Sequence, residues 1–359
     1  MDQLDRKYLK TWAIAVMVLW IASSFWKPAP RRRPTAKLEI LAYYENGTGG
    51  NLPNSLSSLI SNIKRISYLS PFWYSVGANG AISVGERTPD DGSFDQVVNL
   101  ARRNGVKIVP LVSNRRTPVG SETDFLRDPA LRSKVVLELY HIAKGRGWDG
   151  LNIAFELIPA SLKTQFVNFT EDLATKLKSD GMMLFVSVFP PKEMPAAVVG
   201  GYDYRQLAIR CDRLVLQMYD RHWAGTEPGP IAPLPWVESN LQYLTRIIVP
   251  SKIIMAVGLY GYDWPGESRL GKPEYISARQ ALERAAGRGI AIKWDGISRE
   301  PYYSYVENQI DREVYFGSGQ TAADRATVAR QYGLSGIAIW RLGFEEPSFW
   351  GELEKAVSI

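Results

Sequence analysis

One cysteine and two histidines among 359 residues set the first limits on this chain. Cys211 has no partner for an internal disulfide, and His141 and His222 are too few for a zinc site or a histidine-dependent triad. No metal and no cofactor is expected, so carboxylates must carry any catalysis. Charge is equally sparing with information. Much of the net +6 sits in Lys27, Arg31, Arg32, Arg33 and Lys37, which says little about the folded part, and nucleic acid is not an expected partner. Long apolar runs are scarce too. The exception is residues 11–26, TWAIAVMVLWIASSFW, an uncharged stretch that follows Arg6, Lys7 and Lys10. It suits a signal-peptide core or a membrane anchor. Ala22-Ser23-Ser24 is an imperfect cleavage site and tryptophans flank the run, so an uncleaved anchor is the favoured reading, with residues 1–10 cytoplasmic. Residues 27–37 read as a basic, proline-rich linker, extended as such compositions are.

What is present is a repeated pattern. From Leu38 onward short apolar runs alternate with amphipathic segments, which argues for βα units and a parallel sheet. Strands are predicted at 38–44, 66–74, 106–112, 150–156, 183–189, 213–219, 252–259 and 336–340. Eight of them suggest an α/β fold closed as a (β/α)8 TIM barrel spanning residues 38–359. Helical spacing is clear at 129–144 (Leu131, Val135, Leu139, Ile142) and at 161–178 (Leu162, Phe166, Phe169, Leu173, Leu177). Asp128 before Pro129 is a natural N-cap, and Gly105 and Gly181 are placed to end helices. The spacing breaks once, at residues 265–332, too long for a loop and too patterned for disorder. A small α+β insertion between strands seven and eight is predicted there, walling one side of the barrel mouth.

In such barrels chemistry gathers at the C-terminal strand ends. The fourth predicted strand lies in Trp148-Asp149-Gly150-Leu151-Asn152-Ile153-Ala154-Phe155-Glu156. Alternation puts Asn152, Ala154 and Glu156 on one face, with Glu156 at the rim, while Asp149 falls at the far end in a structural turn. The sixth strand ends in Tyr219-Asp220 and the eighth in Trp340. This set resembles glycoside hydrolase family 18, whose signature is Asp-Gly-x-Asp-x-Asp-x-Glu. Further stretches, residues 68–76, Tyr219 to Gly225, Gly229 to Glu238 and Gly258 to Trp264, resemble the bacterial spore-cortex branch of that family, N-acetylglucosaminidases acting on peptidoglycan. The wall-binding LysM repeats common in that branch are missing.

The resemblance implies that Glu156 is the acid protonating the glycosidic oxygen, that the substrate's 2-acetamido group attacks the anomeric carbon, and that retention follows. Tyr219 would bond the acetamido oxygen, Asp220 would hold the sugar and Trp340 would floor it. Trp73, Trp223 and Trp264 are further candidates for stacking on sugar rings, although core packing claims most aromatics. Two signature positions depart. Asn152 is a neutral substitute deep in the strand, and the branch tends to show it. Ala154 replaces an Asp that orients the acetamido N–H and shares a proton with the acid, a loss on the order of 2–4 kcal/mol, or about 30- to 1000-fold in rate. Gln217, inward by the same alternation as Tyr219, could reach the gap. Two readings stay open: a weakened glycosidase on peptidoglycan or chitin-like glycan, and an inactive, lectin-like glycan-binding protein. A structural scaffold is a third. A wall substrate lies outside the cell, so the barrel is expected extracytoplasmic on a single-pass membrane protein, against the bias of the basic linker.

Overall fold

The computed structural model describes residues 37–45, 54–84, 93–114, 116–117, 120–266 and 272–357. Its centre is a closed ring of parallel strands: Glu39–Tyr44, Tyr68–Val76, Leu111–Asn114, Gly150–Ala154, Met183–Val188, Arg213–Gln217, Ile253–Gly258 and Gly336–Trp340. Each pairs with the next in sequence, and the last pairs with the first through Ile40 opposite Ile337, closing the barrel. The strands are buried on both faces, which is why they appear in the sequence as near-continuous apolar runs. Gly150 is required where it stands, because a Cβ there would collide with the backbone carbonyl of Met183 on the neighbouring strand.

Helices pack outside. Pro129–Arg146 is capped by Asp128, whose carboxylate accepts from the Ala130 N–H at 2.8 Å. Lys163–Ser179 buries Phe166, Phe169, Leu173 and Leu177 and turns its lysines and acids outward. Gly105 and Gly181 adopt φ of 70° and 73°, the left-handed conformation that lets a helix stop and a strand begin. These helices are one-sided, made to lie on a barrel. Among the described residues none is long and apolar enough to cross a membrane. The expected single-pass membrane location is therefore corrected; the run at 11–26 on which it rested lies outside the described residues.

Inside the barrel one layer is polar. Asn152 donates to Ser70 Oγ at 3.1 Å and accepts from Ser187 Oγ at 2.8 Å, and the Tyr43 hydroxyl lies 3.0 Å from Ser187 Oγ. All four are essentially buried, and each satisfies another, so the layer avoids the penalty of orphaned polar groups. Burial raises the Tyr43 phenol, the hydrogen bonds from Ser187 and Asn152 opposing it.

Between the seventh and eighth strands the chain builds an antiparallel sheet of Tyr260–Pro265, Glu274–Ser277, Lys293–Asp295, Glu300–Glu307 and Ile310–Phe316, with helix Ala278–Gly287 against it. Ser277 and Gln280 form a capping box at that helix. A small apolar core of Ile276, Ala281, Tyr303, Val314 and Phe316 is separate from the barrel's. Asp263, fully buried, is held by Arg312 at 2.6 Å, by Arg284, and by the Tyr305 hydroxyl at 2.6 Å. The sheet begins at Tyr260, earlier than the expected boundary at 265. Helix Gly319–Gln331, within the range expected for the insertion, instead packs on the last barrel strand.

Candidate active site

The fourth and sixth barrel strands stop two residues sooner than the apolar pattern implies, at Ala154 and Gln217, so Glu156 and Tyr219-Asp220 stand just past the strand ends. There they line a cleft of about 820 Å³ at the C-terminal mouth of the barrel, together with Ala154, Gln217 and Trp340. Glu156 is partly buried, and its backbone is gripped on both sides by Asn114 at the end of the third strand. Asn114 Oδ1 accepts from the Glu156 N–H and Asn114 Nδ2 donates to the Glu156 carbonyl, each at 2.8 Å. At its carboxyl, Gln217 Nε2 donates to Oε1 at 3.2 Å. The only side chain that Ala154 contributes beside it is a methyl group.

Across the cleft Asp220 adopts φ of 60°, a left-handed conformation that Asp tolerates better than most residues. It accepts hydrogen bonds from the Tyr260 hydroxyl at 2.5 Å and the Tyr262 hydroxyl at 3.2 Å, both from the small sheet. Tyr219 is buried between these groups. Burial, and then the neighbouring Tyr43 and Asp220, lift its phenol well above the ordinary range, and burial followed by Asp220 does the same for Tyr260. These tyrosines are therefore hydrogen-bond donors at any working pH, not bases. The Trp340 ring stands edge-on to Tyr43 at 5.0 Å and 6.4 Å from Phe72, and forms part of the cleft wall.

The other expected site residues divide. Trp73 borders the cleft but is 1 % exposed, its ring turned between Phe94 at 4.4 Å and Trp148 at 5.7 Å, so it offers no face for stacking. Trp264 is buried against Tyr262 and Tyr315 and does not line the cleft. Trp223 is exposed on the loop after the sixth strand, away from the cleft lining. Asn152 lies a layer below, in the barrel's polar network, and has no cleft surface. Asp149 accepts from the Ile108 N–H at 2.8 Å, the structural role expected of it.

Sequence reasoning missed several cleft residues. Phe72 takes the place assigned to Trp73. Asn114 follows the predicted third strand and carried no signal. Tyr275 comes from the small sheet, and Arg341 stacks its guanidinium 4.0 Å from the Phe344 ring and pairs at 3.2 Å with Glu45, whose place just after the first strand already puts it at the mouth. The Tyr-Gly-Tyr alternation at 260–262 was the one readable hint, since it sends both hydroxyls toward one face.

A closed parallel barrel with one strand-end glutamate, a Tyr-Asp pair and a mouth tryptophan defines a class of sugar-cleaving folds. The profile of the family described as glycosyl hydrolases family 18 matches residues 39–345, and the chain belongs to that family. It is 24 % identical over 293 residues to the cortical fragment-lytic enzyme of Bacillus anthracis, covering 79 % of this chain and 66 % of that one. Among solved structures it resembles a chitinase from Chromobacterium violaceum ATCC 12472, with TM-score 0.79 and 23 % identity over 90 % of this chain and 99 % of the other. The spore cortex-lytic enzyme SleL of Bacillus megaterium QM B1551 gives TM-score 0.78 and 23 % identity, with 92 % and 75 % covered. At that identity the two structures speak for the fold alone. The chain spans about two thirds of the length of the curated relatives it matches, for example 66 % of the first.

Proposed function

We propose that the chain hydrolyses a glycosidic bond next to an N-acetylated amino sugar, in peptidoglycan or a chitin-like glycan, with retention and with the substrate's own acetamido group as nucleophile. The observation that carries this is the convergence of Glu156, Tyr219, Asp220 and Trp340 on one cleft. Glu156 gives its proton to the leaving oxygen while the acetamido oxygen attacks the anomeric carbon, forming a cyclic oxazolinium. Water then opens the ring as Glu156 takes the proton back. The scheme fits the lining. A conventional carboxylate nucleophile would stand about 5–5.5 Å from the acid, but Ala154 provides none, and Asp220 is committed to two tyrosine hydroxyls. Tyr219, held protonated, donates to the acetamido oxygen, and the Trp340 ring supports the sugar. The names of relatives, a cortical fragment-lytic enzyme and a spore cortex-lytic enzyme, favour spore cortex as the source of the glycan.

Ala154 favours a second reading, a cleft that binds glycan without cleaving it. Three chains separate the two: unaltered, Glu156→Gln and Ala154→Asp, each assayed for binding and for release of reducing ends from cortex-type peptidoglycan and chitooligosaccharides. Slow cleavage abolished in Glu156→Gln supports hydrolysis. Binding without turnover, restored by Ala154→Asp, supports the second reading. Cleavage unaffected by Glu156→Gln removes the acid role altogether.

A further inference from the structure

Gln217 ends the sixth strand, is 5 % exposed, and reaches over the fifth strand to a carboxyl just past the end of the fourth. Its Nε2 donates to Glu156 Oε1, and its side chain also lies against the Tyr219 phenol, where it opposes the rise that burial gives that group. Its Oε1 is buried and accepts no hydrogen bond among the described residues. A buried amide oxygen left unpaired beside a carboxyl that changes protonation state needs a reason, since the orphaned acceptor costs free energy. On the acid's own strand, position 154 supplies a methyl and no polar group.

We propose that Gln217 is a positioning residue that holds Glu156 in both of its protonation states. To the carboxylate it donates N–H, as seen here. To the carboxylic acid it turns its terminal amide by half a turn and accepts the O–H proton with Oε1. Oε1 has no other partner, so the turn breaks no bond made by that atom, although it exchanges which amide atom faces the Tyr219 phenol. An amide carries no titratable proton, so only the carboxyl of this pair can gain or lose one, unlike two neighbouring carboxylates, whose protons leave in two coupled steps. Other charged groups on the cleft are Asp220, bonded to Tyr260 and Tyr262, and Glu45, paired with Arg341. The phenols of Tyr74, Tyr219, Tyr260 and Tyr275 are all raised by burial and stay protonated. The kinetic part of this inference rests on the proposed hydrolysis; the titration part does not.

The test follows the Glu156 side-chain carboxyl by 13C NMR in the full chain, with Glu156→Gln identifying its signal, in unaltered protein, Gln217→Met and Gln217→Glu. Gln217→Met keeps the volume and removes both bonds, of which the charge-assisted one to the carboxylate is the stronger, so the Glu156 midpoint should move up by about one pH unit, a tenfold change in its protonation equilibrium. Gln217→Glu should move it further and split the curve into two steps. On chitooligosaccharide, Gln217→Met should lose about tenfold in kcat with little change in KM. A midpoint within about 0.2 units of the unaltered one in Gln217→Met and a single-step curve in Gln217→Glu overturn the proposal. Shifted titrations without cleavage by any chain leave the positioning role and sink the hydrolase, whereas Glu156-dependent cleavage with unshifted titrations does the reverse.

Discussion

Asn114→Ala isolates what the barrel contributes to the acid beyond supplying it. Two hydrogen bonds of 2.8 Å run between the Asn114 amide and the Glu156 backbone, and Asn114 is 3 % exposed. Removing the amide leaves a backbone N–H and a C=O without partners, each worth about 1–3 kcal/mol when water cannot replace the lost bond. The open cleft admits some water, so the low half of that range applies and the sum is about 2–4 kcal/mol. For a domain of this size each kcal/mol moves the melting midpoint by about 2 °C, giving a fall of roughly 4–8 °C. Turnover should suffer more than stability. A displacement of about 1 Å at a reacting group is enough for a loss on the order of 100-fold. The walls proposed to hold the sugar, Trp340 and Tyr219, do not depend on Asn114, so KM should change little. Asn114→Asp sharpens the test because it keeps the acceptor for the Glu156 N–H, but turns the donor into an oxygen facing the Glu156 carbonyl. It should be at least as damaging as alanine. Thermal melts and steady-state hydrolysis of chitooligosaccharides read both effects. If Asn114→Ala melts within about 1 °C of the unaltered chain and keeps its kcat, Glu156 is held by something other than this bridge.

Phe72 and Trp73 should respond oppositely to truncation. Trp73→Ala empties a buried aromatic cluster and should cost about 3–5 kcal/mol in chemical denaturation, whereas Phe72→Ala, at a partly exposed cleft position beside Trp340, should mainly weaken glycan binding in titration calorimetry; the reverse pattern refutes the assignment of faces. Glu300 gives a pH signature of stability. Burial pushes its carboxyl up to about 8 from an ordinary 4.5, against the pull of Arg325 at 3.9 Å. The folded chain therefore holds more protons than the unfolded one between those values, and this stabilisation, complete below about pH 4.5, is lost as pH rises through about 8. Glu300→Gln keeps an acceptor for the Ala232 N–H, which Glu300 now bonds at 2.9 Å, and removes the titration. Urea melts at pH 5 and pH 8 should show the unaltered chain losing a few kcal/mol relative to the variant, and equal pH slopes in the two chains refute it.

The barrel was legible because parallel strands buried on both faces leave apolar runs, and because Gly105, Gly181 and Asp128 mark where helices stop and start. Glu156, Tyr219, Asp220 and Trp340 were legible for a related reason: each ends or follows such a run, so the architecture delivers it to the mouth. Period-2 alternation carried less. Along the second strand the pairing register shifts between Phe72 and Tyr74, and a shift of this kind breaks any count of faces along a strand. The sequence shows two adjacent aromatics there and no sign of which one faces the cleft. Trp264 failed for another reason, since the small sheet has a buried layer of its own and a tryptophan near the seventh strand end can belong to that layer.

The Gln217 contact lies at the limit of what a linear reading can find. Alternation places Gln217 inward, but its partner is 61 residues away on a strand that is not its neighbour. Closure of the barrel curls the sheet, so that inward side chains of the sixth and fourth strands can meet across the fifth. The methyl at 154 and the inward amide at 217 are both visible in the sequence, but the bond from that amide to the acid is not. Their meaning appears when both face one carboxyl, because a site that lacks a charged neighbour on its own strand then holds its acid with a neutral one from across the barrel.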